Sequence, residues 1–223
     1  MTARIKVKIC GLTDGFSAEA AIRAGADYLG VVFFENSPRK ASVEQAQDVF
    51  DGTPEDVKRV GLFVDADDSL LDRAIGSVRL DMLQFHGTET PERVERVRLE
   101  YGIPVIKAVQ VACAADLDAA LPYVGVADAL LFDAKPPVGA ERPGGHGVAY
   151  DWSLLAGRRW PIPWFLAGGL TAENVAGAIR ASGAKIVDVS SGVEKTPGVK
   201  DAKKIIAFIR AVKGVRDPDQ ARR

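Results

Sequence analysis

Residues Arg4 to Phe34 read RIKVKICGLTDGFSAEAAIRAGADYLGVVFF, and this stretch decides the fold. An apolar run with alternating polar residues, Ile5–Cys10, is followed by an amphipathic run, Ser17–Ala24, and then by a second apolar run, Tyr28–Phe34. Gly25 stands just past the amphipathic run, where the end of a helix often needs a left-handed residue. The order strand, helix, strand predicts a parallel β–α–β unit.

The same alternation continues along the chain and predicts eight strands separated by helices or loops. With 223 residues, each unit averages about 28 residues, which favours a single (β/α)₈ TIM barrel over residues 1–214 with a polar tail at 215–223. The pattern leaves an open doubly wound sheet as the alternative. The predicted strands are Ile5–Cys10, Tyr28–Phe34, Arg59–Val64, Met82–His86, Val105–Val111, Ala129–Asp133, Trp164–Ala167 and Ile186–Ser190, and the predicted helices are Ser17–Ala24, Val43–Phe50, Ser69–Val78, Pro91–Tyr101, Ala114–Leu121, Asp151–Ala156, Thr171–Ser182 and Asp201–Val212.

Composition narrows the function classes. The formal net charge of −1 gives no general attraction for nucleic acid or for anionic membranes, so neither is expected as a partner. No stretch approaches the roughly 18 apolar residues of a membrane helix, and the first residues lack an apolar run of signal-peptide length. The two cysteines fit a reducing compartment and predict a cytoplasmic protein. Two histidines and no Cys/His cluster argue against a metal site.

Polar residues occupy one face of several predicted strands, although parallel barrel strands are normally apolar on both faces. The helix-facing side must be apolar, so the polar sets should point into the barrel. Lys8 and Asp188 lie deep in neighbouring strands and are predicted to form an internal ion pair. Four residues stand at the carboxyl ends of strands, where barrel enzymes place their active sites: Cys10, His86, Asp133 and Ser190.

Each of these residues also has a purely structural interpretation. A lone cysteine is usually a small core residue, and this interpretation is kept for Cys113. Taken alone, Cys10 and His86 are more often structural than catalytic. Asp133 favours a functional role somewhat, because a charge that ends an apolar strand needs a reason. The joint pattern is a stronger signal than any single member.

Glycine and serine follow the seventh and eighth predicted strands. Gly168 and Gly169 let backbone N–H groups approach a ligand closely, and Ser190 and Ser191 add hydroxyl donors. A short helical turn beginning near Gly192 would direct its positive end at an anion. Strand-to-helix turns use glycine in any case, but the two loops together predict a phosphate site.

Two further loops are candidates for binding the substrate. Arg39 follows the second strand and is the best candidate to hold a carboxylate through two parallel hydrogen bonds, although loop arginines are commonly solvated. The loop at 136–150 follows Asp133 directly and is long and rich in Gly and Pro. Long barrel loops often act as lids, so Gly145 and His146 are expected to close over a ligand.

These motifs resemble the phosphoribosylanthranilate isomerase family, from about residue 5 to residue 212. Two departures are mild: Phe85 replaces the usual Leu of QLHG, and His146 stands where the lid usually has Thr or Ser. The resemblance is carried by KICGLT (8–13), SPR (37–39), QFHG (84–87), FD (132–133), GGHG (144–147), DW (151–152), AGGL (167–170) and DVSSGVE (188–194).

The resemblance implies a cofactor-free isomerase of tryptophan biosynthesis. It would convert N-(5-phosphoribosyl)anthranilate into 1-(2-carboxyphenylamino)-1-deoxyribulose 5-phosphate by an Amadori rearrangement. Cys10 matches the family's general base, Asp133 its general acid, and Arg39 the residue that binds the anthranilate carboxylate. The ring oxygen must receive a proton, and the C2′ proton must be removed, so an acid and a base suit this chemistry. Lys8 would favour the Cys10 thiolate unless Asp188 neutralises it.

Two kinds of rival remain open. Another phosphate-binding barrel, such as a ribulose-phosphate epimerase, would need metal ligands and paired aspartates, and the related sugar isomerase of histidine biosynthesis would need Asp where this chain has Cys10. A non-catalytic barrel that binds an anion or a protein has no need of both Cys10 and Asp133. Whether the protein is a monomer or a homodimer is left open, as are the roles of His86 and His146.

Overall fold

The computed structural model describes residues 4–137, 139–140 and 143–215. Eight parallel strands close into a barrel in chain order, with β1 hydrogen-bonded to both β2 and β8. The predicted (β/α)₈ barrel is therefore confirmed, and the open sheet is excluded. The barrel strands are β1 (Lys6–Cys10), β2 (Tyr28–Val32), β3 (Lys58–Phe63), β4 (Met82–Phe85), β5 (Val105–Val111), β6 (Ala129–Ala134), β7 (Trp164–Leu166) and β8 (Ile186–Val189).

Six α-helices and three 3₁₀ segments accompany these strands in the described part of the chain. Gly25, Gly102 and Gly183 adopt the left-handed conformation at helix ends, which the sequence analysis predicts for Gly25. Of the predicted tail at 215–223, all but Val215 lies outside the described residues. The helices are α1 (Gly15–Ala24), α2 (Val43–Phe50), α3 (Asp68–Ser77), α4 (Pro91–Tyr101), α5 (Val175–Ser182) and α6 (Ala202–Lys213), and the 3₁₀ segments are Ala114–Tyr123, Trp152–Leu155 and Ser191–Val193.

Several predicted helices differ from the structure. The fifth is a 3₁₀ segment, and Pro122 within it removes a backbone donor that an α-helix would need. The sixth is only the 3₁₀ turn Trp152–Leu155. The seventh begins at Val175, because the Asn174 side chain accepts a hydrogen bond from the backbone of Thr171 and holds a turn before it.

Helix starts depend on side-chain caps. The cap of α1 is Asp14, whose carboxylate accepts the Ser17 backbone N–H at 2.8 Å, so Ser17 lies in the first turn. Asp201 caps α6 as predicted, and Pro91 opens α4. A two-stranded antiparallel hairpin, β9 (Glu194–Thr196) and β10 (Val199–Lys200), intervenes between β8 and α6 and was not predicted.

The core has two apolar layers. The outer layer packs between strands and helices and includes Ile9, Phe132 and Val189, on the faces predicted to meet the helices. The inner layer fills the barrel and includes Ile106, Leu131 and Phe165. Strand residues that point inward are therefore apolar near the amino ends of the strands. The polar residues follow towards the carboxyl ends, which positions the candidate site on that rim.

Candidate active site

Cys10 ends β1 and is 3% exposed. Its register partner on β2 is Gly30. A Cβ on Gly30 would lie 3.1 Å from the Cys10 sulfur and 3.3 Å from Cε of Lys8, tighter than most van der Waals contacts. Glycine on β2 therefore makes the room in which both side chains lie.

Lys8 and Asp188 face each other across the seam where β1 pairs with β8. Lys8 Nζ donates to Asp188 Oδ1 at 2.8 Å, and the Lys8 side chain is completely buried, so the predicted internal ion pair is confirmed. Burial alone would lower the pKa of Lys8, but Asp188 and Cys10 outweigh it and raise that pKa. Lys8 is therefore a fixed cation below the thiol.

Burial also governs the Cys10 thiol. It raises the pKa of Cys10, and Asp188 adds to the rise, while Lys8 and then Lys200 oppose it. The net direction of the Cys10 pKa is upward, so burial outweighs the activation that Lys8 would give. The thiol is protonated at neutral pH and needs a further influence to act as a base.

Asp133 and His86 face each other across the barrel mouth. Oδ2 of Asp133 lies 3.2 Å from Nε2 of His86, and both side chains are largely buried. Oδ1 of Asp133 accepts the backbone N–H of Ala134 at 2.9 Å. Gln84, fully buried on the same strand face as His86, lies with Nε2 3.0 Å from Nδ1 of the ring. Gln84 therefore fixes the imidazole ring beside the Asp133 carboxyl group.

Arg39 is 5% exposed, so the expectation of a solvated loop arginine does not hold. Glu194 already accepts two hydrogen bonds from it, Nε to Oε1 at 2.7 Å and Nη2 to Oε2 at 2.9 Å. Nη2 also donates to the backbone carbonyl of Gly145 at 3.2 Å. One bidentate edge of the guanidinium is thus occupied inside the protein, and Nη1 is the nitrogen left for a ligand within the described residues.

The residues of the predicted phosphate cradle line a cavity of about 40 Å³. Gly168 and Gly169 have positive φ angles of 87° and 64°, a conformation that glycine adopts without strain. Gly192 does not line this cavity; a Cβ there would lie 1.9 Å from the carbonyl oxygen of Leu170, so this glycine lets the two loops meet. The predicted residues that line the cavity are Gly168, Gly169, Ser190 and Ser191, together with His146 from the candidate lid.

The candidate lid, described at residues 136–137, 139–140 and 143–150, lies close over the reactive groups. A Cβ on Gly144 would be 2.8 Å from Oδ2 of Asp133 and 2.9 Å from Nε2 of His86. A Cβ on Gly145, whose φ is 75°, would be 2.4 Å from Nη1 of Arg39. The glycines of the loop therefore permit backbone contact with the acid, the histidine and the arginine.

A second cavity of about 70 Å³ adjoins the phosphate side. Both cavities are lined by Asp133, Gly145, Asp188 and Ser190, so they meet at the centre of the barrel mouth. The larger cavity is also lined by Cys10, Arg39, Gln84 and His86, and by apolar side chains of β2 and β3, Val32 and Leu62 among them.

Some participants were missed from the sequence. Glu194 lies within the DVSSGVE motif, but the sequence indicates no separate role for it, and no motif includes Lys200. Tyr150 lies against Gly168, and burial, aided by Asp133, raises the pKa of its hydroxyl, so the hydroxyl stays protonated. The hairpin positions Glu194 and Lys200 at the site, and the loop at 136–150 positions Tyr150 there. Neither element has a periodicity in the sequence from which its contacts could be predicted.

Two kinds of feature, a membrane-spanning helix and a metal site, are absent from the residues that the structure describes. None of the helices in the described ranges is both long and apolar enough to cross a membrane. Over the same ranges, no group of three His, Cys, Asp or Glu side chains is placed to hold a metal ion.

Solved structures with similar folds were found by comparison. A phosphoribosyl anthranilate isomerase from Thermotoga maritima matches with a TM-score of 0.84 and 38% identity, over 94% of this chain and 99% of that one. A phosphoribosyl anthranilate isomerase in complex with reduced 1-(o-carboxyphenylamino)-1-deoxyribulose 5-phosphate matches with a TM-score of 0.81 and 36% identity, over 94% and 99% of the two chains. Another similar structure is of monomers of the dimeric Thermotoga maritima enzyme.

Sequence comparisons agree with the structural ones. The N-(5′-phosphoribosyl)anthranilate isomerase of Paramagnetospirillum magneticum is 60% identical over 95% of this chain and 99% of its own length. That of Rhodospirillum rubrum is 59% identical over 93% and 97% of the two chains. A family model described as N-(5′-phosphoribosyl)anthranilate (PRA) isomerase matches residues 7–211. A match of this extent, on a barrel with this rim, means that the chain belongs to the N-(5′-phosphoribosyl)anthranilate isomerase family.

Proposed function

We propose that this enzyme converts N-(5-phosphoribosyl)anthranilate into 1-(2-carboxyphenylamino)-1-deoxyribulose 5-phosphate in tryptophan biosynthesis, without a cofactor. One observation carries the proposal: a thiol and a carboxyl group, Cys10 and Asp133, line the same cavity. Arg39 lines that cavity too, and the glycine and serine loops line the one adjoining it. An acid, a base and two anion sites are what this substrate requires.

In the first step Asp133 acts as the general acid. It donates its proton to the ribose ring oxygen, the bond from C1′ to that oxygen breaks, and a protonated Schiff base forms with the anthranilate nitrogen. Nε2 of His86 lies 3.2 Å from Oδ2 without a hydrogen bond to it among the described residues, and we assign His86 to orient the carboxyl group once substrate binds. The lid backbone at Gly144 covers the pair and excludes water from it.

In the second step Cys10 acts as the general base. The Schiff base makes the C2′ proton acidic, and the thiolate removes it to give an enolamine that tautomerises to the ketose product. Burial raises the pKa of Cys10, so the thiolate must be stabilised when substrate binds. The positive charge of the Schiff base, beside Lys8, supplies such stabilisation because an opposite charge favours the ionised form.

Binding at both ends holds the ribose between acid and base. Arg39 binds the anthranilate carboxylate, and Gly168, Gly169, Ser190 and Ser191 form the phosphate site, while Gly192 lets the two loops that carry it meet. His146 and Gly145 belong to the lid that closes over the substrate. Holding the reacting groups in this way lowers the entropic part of the barrier.

The remaining expectations belong to the same proposal. We place the activity in residues 1–214, in the cytoplasm, in a monomer or homodimer, with a small-molecule substrate and no nucleic acid or membrane partner. The near-neutral net charge supports the last point.

Complementation tests the function directly. The gene is expressed in a tryptophan auxotroph that lacks this isomerase, and growth without tryptophan is expected. The Cys10→Ser variant, expressed to the same level, serves as the matched control and should not restore growth. Failure of the wild-type chain to restore growth at a normal level of folded protein would contradict the proposal.

A further inference from the structure

Three buried ionic side chains, Arg39, Glu194 and Lys200, lie in a row beneath the lid and are linked by hydrogen bonds. The proposed reaction assigns a role to Arg39 alone. Glu194 binds Arg39 through two hydrogen bonds, and its Oε1 also accepts from Lys200 Nζ at 2.8 Å. The side chains of Arg39, Glu194 and Lys200 are 6%, 5% and 0% exposed. Contacts this short and this buried are charge-assisted and hold the groups in one geometry.

The β9–β10 hairpin carries two of these side chains, Glu194 and Lys200. Lys200 pairs with Glu194 in the hairpin register. Gly198, in the turn, comes so close to the loop after β2 that a Cβ would lie 2.2 Å from the carbonyl oxygen of Pro38. The hairpin therefore packs against the residue that precedes Arg39 and delivers the Glu194 carboxylate to the guanidinium.

Electrostatics keep Glu194 ionised. Burial alone would raise the pKa of Glu194, but hydrogen bonds from Arg39 and the charge of Lys200 hold that pKa below its ordinary value. Burial lowers the pKa of Lys200, although Glu194 opposes that effect. The guanidinium of Arg39 keeps its charge in proteins and is the cation of the group that meets a ligand carboxylate.

The hydrogen bonds also determine which donors of Arg39 remain. A guanidinium has five N–H groups, of which Nε carries one and each Nη carries two. Glu194 takes the Nε hydrogen and one Nη2 hydrogen, and the carbonyl of Gly145 takes the second Nη2 hydrogen. In the part of the chain that the structure describes, Nη1 is thus the donor left for a ligand.

We propose that Glu194 is a positioning residue for substrate recognition: it turns the Arg39 guanidinium so that Nη1 faces the substrate carboxylate. Lys200 holds Glu194 in place from the opposite side. The preference of the site for a ligand with a carboxylate at this end depends on Glu194, although Glu194 itself does not touch the ligand. This inference deepens the proposed function and rests on it.

Equilibrium binding of two probes tests the inference. One probe is reduced 1-(o-carboxyphenylamino)-1-deoxyribulose 5-phosphate, and the other is its phenylamino analogue, which lacks only the carboxylate. The wild-type enzyme should bind the first probe more tightly. Glu194→Gln should weaken the first probe about 10-fold, the usual scale for losing a hydrogen bond to a charged group, and the second less than about twofold.

Two further variants separate positioning from folding. Glu89→Gln breaks a similarly buried pair, in which Lys107 Nζ lies 2.7 Å from Glu89 Oε2, away from Arg39. It should lower stability while leaving the ratio of the two affinities unchanged. The double variant Glu194→Gln/Lys200→Met removes one charge of each sign and should recover stability over Glu194→Gln, yet keep the reduced ratio.

The outcomes are distinct. Equal weakening of both probes by Glu194→Gln, or a wild-type ratio in the double variant, would overturn the positioning role. Wild-type protein that binds neither probe would overturn the proposed function itself. A fall in the ratio that is confined to the Glu194 variants supports the inference.

Discussion

Cys10 is the proposed general base, and its surroundings disfavour the thiolate that this role needs. The thiol is 3% exposed, and burial outweighs the cation of Lys8 in setting its pKa. The inward orientation of Cys10 and its neighbour Lys8 could be predicted from the sequence, because side chains alternate between the two faces of a strand. The direction of the Cys10 pKa shift could not be predicted, because it depends on burial and on the 2.8 Å hydrogen bond between Lys8 and Asp188.

The native thiol should ionise at higher pH than the unfolded one. Its folded pKa is raised, so the neutral form stabilises the fold at low pH, and this contribution is lost as the pH rises through the folded pKa. Thiolate absorbance during a pH titration of Cys113→Ser, in which Cys10 is the remaining cysteine of two, measures this. The same variant in denaturant is the reference. A native midpoint at or below that reference would refute the raised pKa.

At the scale of elements, prediction succeeded where periodicity is strong. The β5 strand and the α2 and α4 helices have their predicted bounds. The 3₁₀ segment Ala114–Tyr123 was mistaken for an α-helix, because Pro122 near its end and a local hydrogen-bond pattern outweighed its alanine content. The β9–β10 hairpin was missed, since strands of three and two residues are too short to show alternation.

The lid predicts an effect that is confined to catalysis. Gly144→Ala places a methyl group within 3 Å of Asp133 and His86, so the loop must move away. The expected result is a fall in kcat/KM of about 100-fold, the scale of a displacement of about 1 Å at a reacting centre, with little change in Tm. Steady-state kinetics and thermal unfolding measure the two effects.

Gly125→Ala is the matched control for the lid. A Cβ at Gly125 meets no other atom within 4 Å, so both kinetics and Tm should stay close to wild type. Wild-type kcat/KM in Gly144→Ala would show that the lid does not approach Asp133 during turnover.

At the scale of the whole molecule, buried ion pairs connect elements that are distant in the sequence. The Lys8–Asp188 pair joins β1 to β8, where the barrel closes. The linked side chains of Arg39, Glu194 and Lys200 join the loop after β2 to the hairpin after β8. A buried pair adds little net stability over apolar residues, but removing one partner is costly. The Lys8–Asp188 pair could be predicted from the sequence, because its members lie on neighbouring strands. The contacts among Arg39, Glu194 and Lys200 could not, because they depend on the unpredicted β9–β10 hairpin.

Stability should therefore depend on pH through Glu194. At neutral pH, Glu194→Gln should lower the unfolding free energy by about 3–5 kcal/mol, because it leaves two buried cations short of their partner. The pKa of Glu194 is lowered in the fold, so its stabilising contribution is present above the unfolded value of about 4.3 and is lost as the pH falls through the folded pKa.

Urea unfolding at several pH values measures this dependence. The gap between wild type and Glu194→Gln should narrow progressively as the pH falls below the unfolded value of about 4.3 and through the lower folded pKa, because protonated Glu resembles Gln. A gap that stays constant from neutral to acidic pH would show that the charge of Glu194 does not stabilise the fold.

The central claim is that Cys10 and Asp133 carry out the isomerisation as base and acid, and steady-state turnover tests it most directly. The substrate, N-(5-phosphoribosyl)anthranilate, is generated in situ and its loss of fluorescence is followed for the wild type, Cys10→Ser and Asp133→Asn. The account predicts turnover by the wild type and a fall in kcat of about 100-fold or more in each folded variant. Near-wild-type kcat in either variant would contradict the role assigned to that residue.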